Sequence, residues 1–234
     1  LGAPGIDLNF GCPAKTVNKS DGGAIILRQP ERVHRIVSAV RAAVPAEVPV
    51  TVKTRLGFDH GEDFLEIVQG IEAAGANELT VHARTRKQGY RPPAHWQEIA
   101  RAREAVSLPI IANGEVWSTA DALRCREVSR CEDLMLGRGA LCRPDLPRLI
   151  RAQVEGNDIA ALSWAEVMPM VLHLLDLNLA NYDAHYVTNP IKQWLVYLKT
   201  YYFEAAVLFE RVKRLRDPED MRRALLEERY AAAA

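Results

Sequence analysis

Five short stretches of this 234-residue chain end in groups that can do chemistry. They are Asn9-Phe10-Gly11-Cys12-Pro13, Lys53-Thr54-Arg55, His82-Ala83-Arg84, Asn113-Gly114-Glu115 and Gly137-Arg138-Gly139. Cys12 is the sharpest of these candidates. Gly11 and Pro13 suit a tight turn that aims its thiol away from the chain. A thiol of ordinary pKa, about 8.5, is mostly protonated at neutral pH, so one held here can give a proton as a general acid. Free cysteines are more often small buried hydrophobes, and Cys125, Cys131 and Cys142 read that way. A buried lysine such as Lys53 is costly unless an acceptor meets it. The electron-rich N1–C2 edge of a reduced flavin is one such acceptor, and a salt bridge is another. His82 suits a donor to a cofactor or a satisfied core histidine. Arg55 and Arg84 read equally as solvated rim charges. Gly137-Arg138-Gly139 lets backbone N–H groups approach a phosphate, with Arg138 adding charge. Any one of the five has a bland explanation; their shared position is the signal.

That position is the end of a strand. Apolar runs at 5–10, 48–54, 78–83, 108–112 and 134–136 precede the polar groups. They are nearly continuous, as strands buried on both faces should be. Helical periodicity lies between them, at 30–40, 62–74 and 95–106 and again after Ser118. Repeated strand–helix units without a Gly-x-Gly-x-x-Gly fingerprint favour a (β/α) barrel, whose chemistry sits at the C-terminal strand ends. A doubly wound sheet is the alternative. Barrel phosphate sites use the loops after strands seven and eight. If the last two runs are those strands, the first is strand four and three strands are lacking. The abrupt start at Leu1 gives the same expectation.

After Asp145 the strand-like runs stop. Amphipathic stretches at 164–180, 191–198, 204–214 and 218–230 predict a helical bundle. The expected division is residues 1–155 for the barrel part and 156–234 for the helical part, with the terminal alanines as an unpacked tail. Lys and Arg number 30, as do Asp and Glu, so whole-chain charge gives no argument for a polyanion partner. Locally, Arg84, Arg86, Lys87 and Arg91 surround Tyr90. A second basic run comprises Lys192, Lys199, Arg211, Lys213, Arg214 and Arg216. Cations with an interleaved aromatic suit RNA. Four scattered cysteines without a CxxC pair argue against a disulfide scaffold or a zinc site, and fit a cytoplasmic setting. No apolar run is long enough to span a membrane.

Taken together, GIDLNFGCPAK, VTVKTRLG, LTVHARTR, IIANGEV and LMLGRGAL resemble the tRNA-dihydrouridine synthases in order and spacing. GYRPPAHWQEI and IKQWLVYLKTYY resemble the bacterial C subfamily, which acts at position 16 of the tRNA D-loop; Pro190 stands where that subfamily often has a basic residue. The resemblance implies an FMN-binding barrel followed by a helical tRNA-binding domain, with NADPH as reductant. It implies hydride transfer to C6 of a uracil and protonation of C5 by Cys12. It assigns Gly11, Pro13, Lys53, His82, Asn113, Gly114, Glu115, Gly137 and Arg138 to FMN. It assigns Asn9, Tyr90 and Lys192 to tRNA, and the basic loop around Tyr90 adds Arg84 as a tRNA contact. A monomer without metal is expected. The competing expectations are a small-molecule flavin oxidoreductase of the dihydroorotate or dihydropyrimidine type, and a non-catalytic tRNA-binding module.

Overall fold

The computed structural model describes residues 2–233. They form two compact units. The first runs through Val116 and resumes over Ala120–Gly137; the second comprises Trp117–Thr119 and the chain from Arg138 onward.

The first unit holds five strands: β1 (Ile6–Asn9), β2 (Val50–Arg55), β3 (Glu78–His82), β4 (Ile110–Asn113) and β5 (Leu134–Met135). All neighbouring pairs are parallel, and the order is β1-β2-β3-β4-β5. The helices following the strands are short α1 (Lys15–Lys19), then α2 (Pro30–Ala43), α3 (Phe64–Ala73), α4 (Trp96–Ala105) and α5 (Thr119–Ser129). A 3₁₀ segment over Gly23–Arg28 precedes α2. An order that never reverses has one consequence. Right-handed crossovers then place every connecting helix on the same side of the sheet. A doubly wound sheet must reverse its order to cover both faces. The unit is therefore singly wound, which removes the doubly wound alternative.

Register sorts the strand residues into two faces. Ile6, Leu8, Val50, Val52, Thr54, Leu79, Val81, Ile110 and Ala112 share one face, where Val33 and Val37 of α2, Ile67 and Ile71 of α3 and Ile99 of α4 complete a buried core. Asp7, Asn9, Thr51, Lys53, Arg55, Glu78, Thr80, His82, Ile111 and Asn113 share the other. The expectation of strands buried on both faces holds for β3, where Thr80 and His82 are buried as well as Leu79 and Val81, and is corrected for β1. Burial in β1 alternates between half-buried and exposed, because one face meets helices and the other is polar.

In the second unit the described residues form helices only: α6 (Arg138–Cys142), α7 (Leu146–Val154), α8 (Trp164–Asn181), α9 (Thr188–Leu198), α10 (Phe203–Val212) and α11 (Pro218–Ala233). α8 starts at a capping box in which Ser163 and Glu166 satisfy each other's backbone. Its core gathers Val167, Val171 and Leu175 of α8, Ile191 and Leu195 of α9, Leu208 of α10 and Leu225 of α11. The continuous part of this unit starts at Arg138, before the polar turn near residue 156. The alanines after Tyr230 are no tail as far as Ala233, since α11 runs through them and Ala232 packs on the core.

Candidate active site

Cys12 lies two residues beyond the β1–β2 ladder, which the Phe10 amide extends by donating to the Lys53 carbonyl at 2.8 Å. Its turn is held by more than the flanking Gly and Pro. The Gly11 amide donates to Asn9 Oδ1 at 2.9 Å, and the Gly11 carbonyl accepts from Arg55 Nε at 2.9 Å. The Cys12 carbonyl accepts from Asn18 Nδ2 at 3.0 Å and from the Ala24 amide at 3.1 Å. Gly23 closes the turn from outside. At φ 66 it is left-handed, and a Cβ there would stand 2.9 Å from the Cys12 carbonyl oxygen. The thiol is left free and half-buried.

Lys53 sits beside Asn9 in the register, on the polar face. Its Nζ donates to Asn113 Oδ1 at 3.4 Å, reaching past β3, while Asn113 Nδ2 donates to the Met135 carbonyl at 2.6 Å. Burial lowers the lysine's pKa and the Arg55 charge lowers it further; Asp7 opposes both. A half-buried ammonium held by one neutral amide is a group built to meet an electron-rich acceptor. His82 is buried at the end of β3, and its ring meets the Tyr90 ring edge-on, with centroids 6.0 Å apart. Gly114 backs the histidine so closely that a Cβ would come within 3.2 Å of its Cδ2. Tyr90 is 52% exposed and so accessible to a large partner.

Two arginines depart from the sequence expectation. Arg55 is buried, not on a rim. Beyond Gly11 it donates from Nη1 to the carbonyls of Thr85 at 3.2 Å and Gly89 at 3.0 Å, and its guanidinium lies 5.3 Å from the Tyr90 ring centroid. Arg84 is 0% exposed and ion-paired with Glu115, and its Nε donates to the Arg91 carbonyl at 2.7 Å. A guanidinium with no accessible surface cannot touch RNA, so its assignment to tRNA is corrected. Its length allowed either placement, and the facing carboxylate of Glu115 decided it. Sequence reading missed Arg55 as a hub because its partners are backbone carbonyls, which carry no residue-type signal. Asn9 also spends its amide oxygen locally, on the Gly11 turn.

The remaining candidates stand at or in the second unit. Gly137 ends the first, and nothing lies within 4 Å of where its Cβ would be. Arg138 opens α6, its guanidinium 4.9 Å from the Trp117 ring centroid. Lys192 on α9 is half-buried, and its pKa is lowered by burial and then by Arg216. Not all of the basic run is available. Lys213 pairs with Glu210, and Arg211 donates to the Ala224 carbonyl and lies 3.7 Å from Glu228. Among the described residues, no three His, Cys, Asp or Glu side chains gather as metal ligands would.

A family model for dihydrouridine synthases matches residues 1–233. The chain belongs to the dihydrouridine synthase family. It is 50% identical over 219 residues to a tRNA-dihydrouridine(16) synthase of Aquipseudomonas alcaligenes, covering 94% of this chain and 70% of that one. It is 50% identical over 214 residues to the protein of that name in Pseudomonas putida, covering 92% and 66%. A Shewanella oneidensis relative of the same name is 43% identical over 225 residues, covering 96% and 70%. The chain thus spans about two thirds of the length of these dihydrouridine synthases. A solved dihydrodipicolinate synthase from Agrobacterium tumefaciens aligns at 13% identity over 100% of this chain and 87% of that one, with a TM-score of 0.44, too slight a likeness to bear on function. No described helix is long and apolar enough to cross a membrane.

Proposed function

We propose that the chain reduces uridine to 5,6-dihydrouridine in tRNA, at position 16, within a flavin-dependent enzyme of its family. The five strands are read as staves four to eight of a (β/α) barrel; their unreversed order supports this. The donor set suits FMN. Lys53, with Asn113 as its only hydrogen-bond partner among the described residues, would meet the N1–C2 edge; His82 and the Asn113-Gly114-Glu115 corner would line the ring, as would the Gly11–Pro13 turn. Gly137 and Arg138 would take the phosphate. FMN held there and reduced by NADPH would supply a hydride to C6 of the uracil.

The chain's own residues do the rest. The Lys53 charge favours the electron-rich form of its acceptor. The Cys12 thiol is the general acid: its proton goes to C5, the C5–C6 double bond becomes single, and solvent reprotonates the sulfur. A stacked uracil cannot reach a thiol recessed at the strand ends, so it must be extruded from the tRNA. Tyr90 and Asn9 would contact it there. Lys192 and Arg216 bring two cations together, with no carboxylate paired to either among the described residues, which suits phosphodiester oxygens. A tRNA substrate implies the cytoplasm.

One observation carries this reading. Arg55 holds the Cys12 turn and the Tyr90 loop at once, while Lys53, two residues before it on the same face, reaches Asn113. A proton donor, a cation awaiting an acceptor and an accessible aromatic therefore share one end of the sheet. The test uses unmodified tRNA, NADPH and FMN. The wild type should form dihydrouridine, whereas Cys12→Ala should keep flavin and tRNA affinity and lose roughly 10²–10⁴-fold in rate. Reduction of free uracil but not of tRNA would replace the reading with a small-molecule reductase. A colourless, folded chain that binds tRNA without turning it over would replace it with a binding module.

A further inference from the structure

Arg84 takes no part in the chemistry above, although its partner Glu115 stands in the corner read as lining the flavin. Arg84 is fully buried, whereas the Glu115 side chain keeps 22% of its surface. Burying a charge is tolerated when its partners satisfy it, and here the partners come from two separate loops. Nε holds the Arg91 carbonyl, at the close of the loop that carries Tyr90. The other end meets Glu115, just past β4. Glu115 has φ 64, and Gly114 before it has φ 117. A non-glycine residue in the left-handed region is uncommon, and persists where its surroundings over-determine it. The Gly114 carbonyl is fixed as well, accepting from Trp96 Nε1 at 2.9 Å. So Gly114 and Glu115 are clamped from the β3–α4 segment, while Asn113 is held by Lys53 and the Met135 carbonyl, and the ion pair is the charged part of the first clamp.

We propose that Arg84 is a positioning residue that yokes the Asn113-Gly114-Glu115 turn to the Tyr90 loop. Order at one is then order at the other, so the loop that would meet RNA is set by the same guanidinium that sets the turn lining the flavin. This deepens the proposed function and rests on it for the identity of the two ligands; the yoke itself is a property of the ligand-free chain. Lysine in place of Arg84 keeps the charge but cannot serve both partners, being a single point donor. Glu115→Gln leaves the Arg91 contact and removes only the ion pair.

The test has two arms. In the flavin-free full chain, amide hydrogen exchange over residues 85–91 should quicken roughly tenfold or more in Arg84→Lys, as loss of one charged hydrogen bond implies. It should quicken in Glu115→Gln too, and the double variant should exceed neither by much, because both cut one linkage. Exchange in α2 and α3 should stay as in the wild type. In the second arm, KM for unmodified tRNA should rise roughly tenfold in Arg84→Lys, with kcat within about threefold. Unchanged exchange over 85–91 in both variants would overturn the yoke, as would acceleration spread evenly through the unit or a fall in kcat with KM constant. If the wild type binds neither FMN nor tRNA, the functional reading fails, and the exchange arm still decides the yoke.

Discussion

Replacing Lys53 by methionine separates a lysine kept for a ligand from one kept for the fold. The side chain is half-buried, its single hydrogen bond is long at 3.4 Å, and among the described residues no carboxylate pairs with it. Methionine fills a similar volume without the charge. It forfeits one weak hydrogen bond, worth about 0.5–1.5 kcal/mol, and relieves a desolvated cation, where apolar replacement is often neutral or stabilising by about 1–4 kcal/mol. The flavin-free variant should therefore be as stable as the wild type or up to about 2 kcal/mol more so, a rise in Tm of about 0–8 °C for a chain of this size. Its pH dependence should change as well. Burial, then Arg55, hold the wild-type lysine below its ordinary range, so between that lowered pKa and the ordinary value near 10.4 the unfolded chain holds a proton that the native one has shed. Wild-type stability should rise with pH across that window, and the slope should vanish in the variant. With FMN bound the sign inverts. A charged hydrogen bond worth about 1.5–3 kcal/mol, made chiefly to the reduced ring, is lost. At about 30 mV per 1.4 kcal/mol for two electrons, the bound flavin's potential should fall by about 30–65 mV. Thermal melts and spectroelectrochemistry read the two effects. A Tm lowered by more than about 5 °C would show that Lys53 serves the fold, and the argument from its missing partner would fail.

Three further outcomes are expected. Gly23→Ala must leave φ 66 or press a methyl group against Cys12, so it should cost about 1–3 kcal/mol by denaturant titration and slow turnover more than it weakens flavin binding. Of the four free thiols, only Cys12 should react quickly with a disulfide reagent at pH 8 in the native state. Cys125, Cys131 and Cys142 are buried, and burial with the neighbouring Cys131 pushes the Cys125 thiol up to about 12, so these three should react only in denaturant. Lys192→Ala and Arg216→Ala should each weaken tRNA binding and each reduce the slope of log affinity against log salt by about 1; an unchanged slope would remove them from the RNA surface.

Much of this was legible in the sequence, and the legible part is what one residue type at one spacing can say. Five apolar runs fixed five strands to within a few residues, and α2 begins at Pro30 because proline is pre-organised for a first turn. Four of the five polar groups at the strand ends are linked: Arg55 to Gly11, Lys53 to Asn113 and Arg84 to Glu115. What sequence could not show was direction and partner. Alternation within β2 is muted because Thr51 and Thr54 are tolerated on either face, so Lys53 and Arg55 read as interruptions rather than as a face. Short α1, the 3₁₀ segment and α6 span too few residues for a period to emerge.

Arg55 and Arg84 mark the sharper limit. Both follow strands, both are long and cationic, and both were equally open to solvation. Whether such a side chain turns inward depends on acceptors remote in sequence: Gly11, Thr85 and Gly89 for one, Arg91 and Glu115 for the other. Four of those five acceptors or partners lie in the two loops that carry Cys12 and Tyr90, and the fifth lies at the β4 turn. Three loops that would otherwise move independently are thus tied by two guanidinium groups. Loops must be held to a fraction of an ångström for a proton donor and a hydride acceptor to meet one ring. A site assembled from strand-end loops, with little apolar surface of its own on that face, has few other means of reaching such order than buried arginines bonded to main-chain oxygen. The polar face is therefore where the chain gives up apolar packing, and its buried polar residues supply the rigidity that such packing would have given.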